Sequence, residues 1–380
     1  MSRLIGNELK YIQQVLFHEF RTSKAGFMVG RLERAFAERF DCAHAIAMCN
    51  GTATLHAIMG AADIGSGHEV ICPALTMAST SLAVLHAGAI PVWCDVCEDS
   101  WCIDAERIEE LINERTRAII TVALYGLSPD MDPIIELARK HNLLIIEDDA
   151  QAVGGTYKGR LVGTIGDASS FSFQSSKTLT CGEGGIIVTN DATKAETIRS
   201  FASLGYKTGF SREDIQKPGA IRHYSIGWNY RMSDLQAAVA LGQLEDIEFH
   251  INTRQNAAFA LSQDCRWFIE QSASYEHKHA AWSKAFRLEN APVSWQGFRE
   301  KFIENGGDPF YACWLPTYLE PMFNDLYNED LGLGPADCPV AEEIQPNILA
   351  FKTNYDLFDE ALEQDRILQK TIEQCERLIN

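Results

Sequence analysis

A lysine follows an apolar run and precedes a glycine-rich loop in Phe171-Ser172-Phe173-Gln174-Ser175-Ser176-Lys177-Thr178-Leu179-Thr180-Cys181-Gly182-Glu183-Gly184-Gly185. Burial shifts an amine toward its neutral form, which attacks carbonyls to form a Schiff base. In an open loop the same lysine is a solvated surface charge, so the stretch alone leaves both readings open. It is not the Ser-x-x-Lys of acyl-transfer enzymes, because Gln174 stands three residues before Lys177. Gly182-Glu183-Gly184-Gly185 does not fit a phosphate loop ending in Gly-Lys-Ser/Thr.

Three other stretches hold chemistry-bearing residues where an apolar run ends. Ile145-Ile146-Glu147-Asp148-Asp149-Ala150-Gln151 brings three acids to a strand end, placed to pair with a cationic ligand nitrogen, to hold a metal, or simply to be solvated. Cys49-Asn50-Gly51-Thr52-Ala53-Thr54 reads as a strand turning directly into a helix. The amides of Thr52 and Ala53 at such a start can bind phosphate; the alternative is an Asn-Gly turn with a threonine cap. Gly227-Trp228-Asn229-Tyr230-Arg231-Met232-Ser233-Asp234 sets bulky residues and an arginine before a helix capped by Ser233.

Positioning these groups requires a layered scaffold, and the hydrophobic pattern supplies one. Short apolar runs at Ala45–Cys49, Glu69–Pro73, Ile90–Val96, Ala118–Leu124 and Leu143–Asp148 alternate with amphipathic stretches at Thr52–Ala62, Asp104–Ile112 and Asp132–His141. Further runs at Ala168–Phe173 and Gly185–Thr189 precede a helix starting near Asp191. This alternation predicts an α/β fold with a mostly parallel central sheet flanked by helices. In such a sheet ligands bind beyond the carboxyl ends of the strands, where the residues above fall. The βα pattern stops after Leu241. Helical spacing continues at Leu244–Gln255, Gln296–Asn305 and Asp359–Leu378 among aromatics and histidines. We therefore expect a large domain over 1–245 and a smaller α+β domain over 246–380. The N-terminal 25 residues can pack on either.

The 380 residues carry 33 Lys plus Arg against 52 Asp plus Glu, a formal charge of −19. That balance, with no basic cluster, argues against nucleic-acid and anionic-membrane partners. No apolar run approaches the roughly 18 residues of a spanning helix, and the N-terminus lacks an apolar signal-peptide core. Eleven scattered cysteines suit reduced thiols in the cytoplasm. The single Cys94-Asp-Val-Cys97 pair has no second pair or histidine cluster to make a zinc site.

Taken in order, Asn50–His56, Gly65–Pro73, Ala118–Tyr125, Leu143–Gln151, Tyr157–Asp167, Phe171–Asp191 and Gly227–Ala238 closely resemble the DegT/DnrJ/EryC1/StrS sugar aminotransferases. These are pyridoxal 5'-phosphate enzymes of fold type I. The resemblance implies that Lys177 carries the cofactor covalently and shuttles a proton. It implies that Asp148 keeps the pyridine nitrogen protonated, and that Thr52, Ala53 and Ser172 hold the phosphate. Gln151 then lies near the ring hydroxyl, and Met77 takes the place where the family stacks an aromatic ring. Asn229 reaches the phosphate of the neighbouring subunit, so the resemblance implies a homodimer with shared sites. No metal is implied.

Three positions depart from the family pattern: Met77, His68 in place of an acid, and Gln174 near Lys177. A branch that dehydrates sugars has histidine at the lysine position; Lys177 favours amino transfer. The implied reaction is ping-pong, from L-glutamate to a keto sugar. The Lys177–Gly185 stretch is most similar to the perosamine-synthase-like branch, which acts on GDP-linked 4-keto-6-deoxysugars in lipopolysaccharide and other cell-surface polysaccharide biosynthesis. Alternatives at this point are a nucleotide-free keto sugar acid of the 8-amino-Kdo type, a sugar dehydratase, and a non-catalytic ligand-binding regulator.

Overall fold

The computed structural model describes residues 4–18, 27–207, 216–323 and 336–377. Two N-terminal helices, α1 (Glu8–Phe17) and α2 (Phe27–Arg39), precede the sheet. The alternating region runs β1 (His44–Met48), α3 (Gly51–Ala61), β2 (Glu69–Pro73), α4 (Ser79–His86), β3 (Ile90–Cys94) and α5 (Ala105–Leu111). It continues with β4 (Thr116–Val122), α6 (Met131–His141) and β5 (Leu144–Asp148). The short strands β6 (Thr156–Tyr157) and β7 (Arg160–Leu161) lead to β8 (Ala168–Ser172), β9 (Gly185–Thr189) and α7 (Ala192–Ala202).

The central sheet has seven strands in the order β1-β9-β8-β5-β4-β2-β3. Only β9 runs against its neighbours; the β8-β5-β4-β2-β3 pairs are all parallel. The expected strands match these bounds to within a few residues at their ends. Both faces are covered, so β2 is buried along its whole length and β4 everywhere but Arg117. Helix starts follow local capping chemistry: the side chains of Asn50, Asp104 and Asp191 accept first-turn amides of α3, α5 and α7.

Beyond the sheet come α8 (Asp234–Glu245) and α9 (Ile247–Ala260). Ser233 and Gln236 form a capping box at the start of α8. Where the spacing suggests one helix over Leu244–Gln255, Asp246 instead leaves helical geometry at φ −106° and separates the two. Apolar residues run through both sides of the break, so periodicity does not mark it. The N-terminal segment packs on the large sheet's side: Gln243 donates to Glu8, and the Tyr11 hydroxyl donates to Glu245 at 2.6 Å.

The remaining elements are β10 (Phe268–Glu270), β11 (His277–Lys278), β12 (Ser283–Leu288), α10 (Trp295–Glu304), α11 (Pro339–Ile344), β13 (Ile348–Lys352) and α12 (Phe358–Glu376). A three-stranded antiparallel sheet, β10-β12-β13, packs on an aromatic core of Phe268, Phe286, Phe298, Phe302, Phe310 and Phe351. Strand β11 pairs with β6 in a separate three-stranded sheet, β11-β6-β7, tying this region to the segment between β5 and β8. Ala285 and Ile348 share a buried cluster with strands of the central sheet.

Candidate active site

Strand alternation sorts the three acids at the end of β5. Glu147 accepts amides of Gly163, Ile165 and Gly166 and the Ser169 hydroxyl, which fastens the loop before β8. Asp149 is buried, and burial together with Glu147 and Asp148 pushes its carboxyl well above the usual range. Asp148 turns the other way. Its Oδ2 accepts the buried Thr80 hydroxyl at 2.8 Å, and its Oδ1 accepts the Ala150 amide at 3.3 Å. Burial raises its pKa, while Thr80, Ala150 and the positive charge of Lys177 favour the ionised form.

Lys177 lies opposite, on the turn after β8. Its amide donates to the Gln174 carbonyl at 2.9 Å, and the Gln174 side chain accepts the Ser176 amide and hydroxyl. The glutamine that departs from the family pattern therefore braces the turn. The amine sits 4.5 Å from the centroid of the Trp282 ring. Burial lowers its pKa from 10.5 to about 8, with Asp148 opposing and Arg254 assisting. A population of neutral amine near pH 8 is what carbonyl capture requires.

The start of α3 closes against the same strand. A methyl on Gly51 would lie 3.0 Å from Ser172 Cβ and 3.4 Å from its Oγ, and one on Gly185 would lie 2.7 Å from the Asn50 carbonyl. Ser172 thus stands beside the helix start. Asn50 Oδ1 accepts the Ala53 amide at 2.8 Å. That amide, expected to be open, is engaged by the cap. The Gly51 and Thr52 amides have no acceptor among the described residues.

Gln151 is buried and accepts the Tyr125 amide at 2.6 Å. The Tyr125 ring lies nearly parallel to Trp282, at 6.4 Å and 12°. Met77 is half exposed, and its carbonyl accepts the amide of Thr80, the residue that holds Asp148. The structure therefore draws Lys177, Asp148, Ser172, Thr52, Gln151 and Met77 into one neighbourhood. Asn229 is not in it: it is exposed and lines a cleft of about 670 Å³ bounded by α2, β1 and α7. Thr80, Arg254 and Trp282 were not singled out by the sequence, and each touches the site through a contact distant along the chain. The arrangement fits pyridoxal phosphate: a buried carboxylate for a cationic ring nitrogen, a helix start with a hydroxyl for phosphate, and an amine of lowered pKa within electrostatic reach of that carboxylate.

The family model for the DegT/DnrJ/EryC1/StrS aminotransferases matches residues 3–370. The chain belongs to this family. It is 36% identical over 341 residues to a GDP-perosamine synthase of Caulobacter vibrioides, covering 88% of each protein. It is 39% identical over 307 residues to an L-glutamine:2-deoxy-scyllo-inosose aminotransferase of Streptomyces lividus, covering 78% of this chain and 71% of that protein. A crystal structure of an aminotransferase from Psychrobacter cryohalolentis superimposes with a TM-score of 0.89 at 30% identity, over 97% of both chains. As a family member the chain is a sugar aminotransferase with the mostly parallel sheet of fold type I. Among the described residues no helix is long and apolar enough to cross a membrane.

Proposed function

We propose that this aminotransferase uses pyridoxal 5'-phosphate to move an amino group from L-glutamate to a nucleotide-linked keto sugar, a GDP-linked 4-keto-6-deoxysugar in particular. The observation that carries the reading is the lysine amine of lowered pKa facing a buried aspartate at a strand end, beside a helix start. Similarity to the GDP-perosamine synthases supports the GDP-linked substrate.

In this reading the Gly51 and Thr52 amides and the Ser172 hydroxyl hold the phosphate through the positive end of α3, which suits a chain of net charge −19. Should Asn50 swing away, the Ala53 amide joins them. Asp148 holds a proton on the ring nitrogen. Bound there, the cofactor supplies an electron sink for negative charge at the amino donor's α-carbon. With the cofactor bound, the Lys177 amine would take the proton from the donor's α-carbon and hold it for return. Gln151 would hold the ring hydroxyl and Met77 would cover a ring face, where a thioether packs without the geometric demand of an aromatic. The Trp282 ring beneath the amine stacks with Tyr125 and Trp314, with ring centroids 6.1–6.4 Å apart.

The active unit we propose is a homodimer in which Asn229 completes the partner's phosphate site. Its exposure, beside exposed Ile221, Tyr224, Ile226 and Trp228, supports this. We assign residues 1–245 to the cofactor domain and 246–380 to the small domain. A cytoplasmic location is part of the proposal, and the free state of all eleven cysteines supports it.

One observation favours a second donor: relatives at 39–40% identity are named for L-glutamine. The discriminating experiment incubates the cofactor-loaded enzyme with glutamate or glutamine, removes the donor, and offers GDP-linked keto sugars, other nucleotide sugars or a keto sugar acid. Loss and return of the bound cofactor's absorption band mark the two halves. The reading expects glutamate and a GDP-linked ketone to drive the cycle. A band that no amino donor bleaches would support a dehydratase or a binding protein instead.

A further inference from the structure

The peptide unit joining Ser176 to Lys177 is held at both polar ends. Its N–H donates to the Gln174 carbonyl at 2.9 Å. Its carbonyl accepts from Arg254 Nη2 at 2.6 Å and from the Trp282 indole N–H at 3.0 Å, which occupies both lone pairs. Arg254 projects from α9 and is 3% exposed. Its Nη1 donates to the Trp282 carbonyl at 2.8 Å and to Thr353 Oγ1 at 3.1 Å. Thr353, just past β13, donates in turn to the carbonyls of Ala281 and Trp282 at 2.7 and 2.9 Å. One guanidinium thus joins the lysine turn, the tryptophan under the lysine amine and the end of the small sheet. Lys177 Nζ rests over the indole whose N–H grips the preceding carbonyl.

We propose that Arg254 is a positioning residue for amino transfer: acting through the Ser176–Lys177 peptide and the Trp282 indole, it aims the Lys177 amine toward the reacting carbon. The planar fork is suited to this, because it donates to two carbonyls and a hydroxyl at fixed angles. Lysine cannot reproduce that spread. The charges facing the amine are Asp148 from β5 and Arg254 from α9, with the neutral Trp282 ring beneath it. The proposal rests on Lys177 being the residue that captures the cofactor.

The test measures capture of free pyridoxal by cofactor-free enzyme across a pH series, trapping with borohydride and counting label on the Lys177 peptide by mass spectrometry. Wild type, Arg254→Lys, Arg254→Gln and Trp282→Phe are compared below each protein's own melting temperature. Capture by Arg254→Lys should be slowed about tenfold, the loss of one or more hydrogen bonds to a charged group, with its pH midpoint close to wild type. Arg254→Gln should capture slowly and also shift the midpoint upward, because a positive neighbour is gone. Trp282→Phe keeps a ring under the amine and removes one donor, so it should capture pyridoxal more slowly than wild type, and it tests the same grip on the Ser176 carbonyl even if the arginine variants do not fold. In the loaded enzyme kcat should fall with the amino donor's KM unchanged. Variants that melt earlier yet capture pyridoxal at the wild-type rate and midpoint would overturn the proposal and leave Arg254 a scaffold residue. Wild type that labels elsewhere than Lys177 would instead overturn the reading beneath it.

Discussion

Thr80→Val removes one hydroxyl and little shape, and that hydroxyl is the side-chain partner of Asp148 Oδ2 at 2.8 Å. Both residues are buried, so water does not replace the lost bond easily. A hydrogen bond to a charged group is worth roughly 1.5–3 kcal/mol, or about 10–150-fold in the equilibrium between ionised and neutral carboxyl. The sign is definite. Burial already raises the Asp148 pKa and Thr80 counters it, so the variant's carboxyl ionises only at still higher pH. If ionised Asp148 supports the ring nitrogen, the acidic limb of kcat against pH moves upward and the deficit narrows in alkaline buffer. The assay is single-turnover reaction of the loaded enzyme with glutamate across a pH series, with thermal melting as a control for folding. Thr80 also lies 3.2 Å from the Thr76 hydroxyl, so Thr76→Val serves as a companion variant that leaves Asp148 alone. An acidic limb unmoved in Thr80→Val, with kcat within about twofold of wild type, would refute the chain of reasoning from Thr80 to Asp148.

Asp148→Asn should lower kcat by about 100-fold or more, as removal of a preorganised charge does. The cofactor-free form should melt no lower than wild type. A carboxyl whose folded pKa is raised contributes stability at low pH and loses it as pH rises, so the variant's relative stability should increase with pH. Gly185→Ala would set a methyl 2.7 Å from the Asn50 carbonyl and 2.9 Å from the Gly51 amide nitrogen. It should cost about 1–3 kcal/mol in denaturant melts and weaken cofactor binding measured by fluorescence, since the helix start must shift. Mixing Lys177→Ala with Asn229→Ala subunits should restore partial activity, and light scattering should report a dimer. Absence of rescue in a confirmed mixed dimer would count against a shared site.

The parts of the site legible in the sequence are those that local patterning controls. The βα alternation places Asp148 and Ser172 at strand ends, and the turn after β8 presents Lys177. Which of three adjacent acids faces Lys177 is a matter of strand alternation and of Thr80, which is 68 residues away. Arg254 and Trp282 meet the Ser176 carbonyl across 78 and 106 residues, through side chains bonding to backbone. Such contacts leave no periodic signal. The Ala53 amide shows another limit, because a helix start offers its donors equally to a ligand and to its own capping side chain. Asn50 takes that amide here. The break at Asp246 is hidden for a related reason: two helices with continuous apolar faces read as one.

The central claim is that Lys177 holds pyridoxal phosphate and releases it to an amino donor. The most direct measurement is borohydride reduction of the loaded enzyme before and after glutamate, followed by peptide mass spectrometry. The account predicts one cofactor fixed on Lys177 before glutamate, none after it, and one molecule of 2-oxoglutarate released per site. Cofactor fixed on a different lysine, or label on Lys177 that glutamate leaves in place, would contradict it.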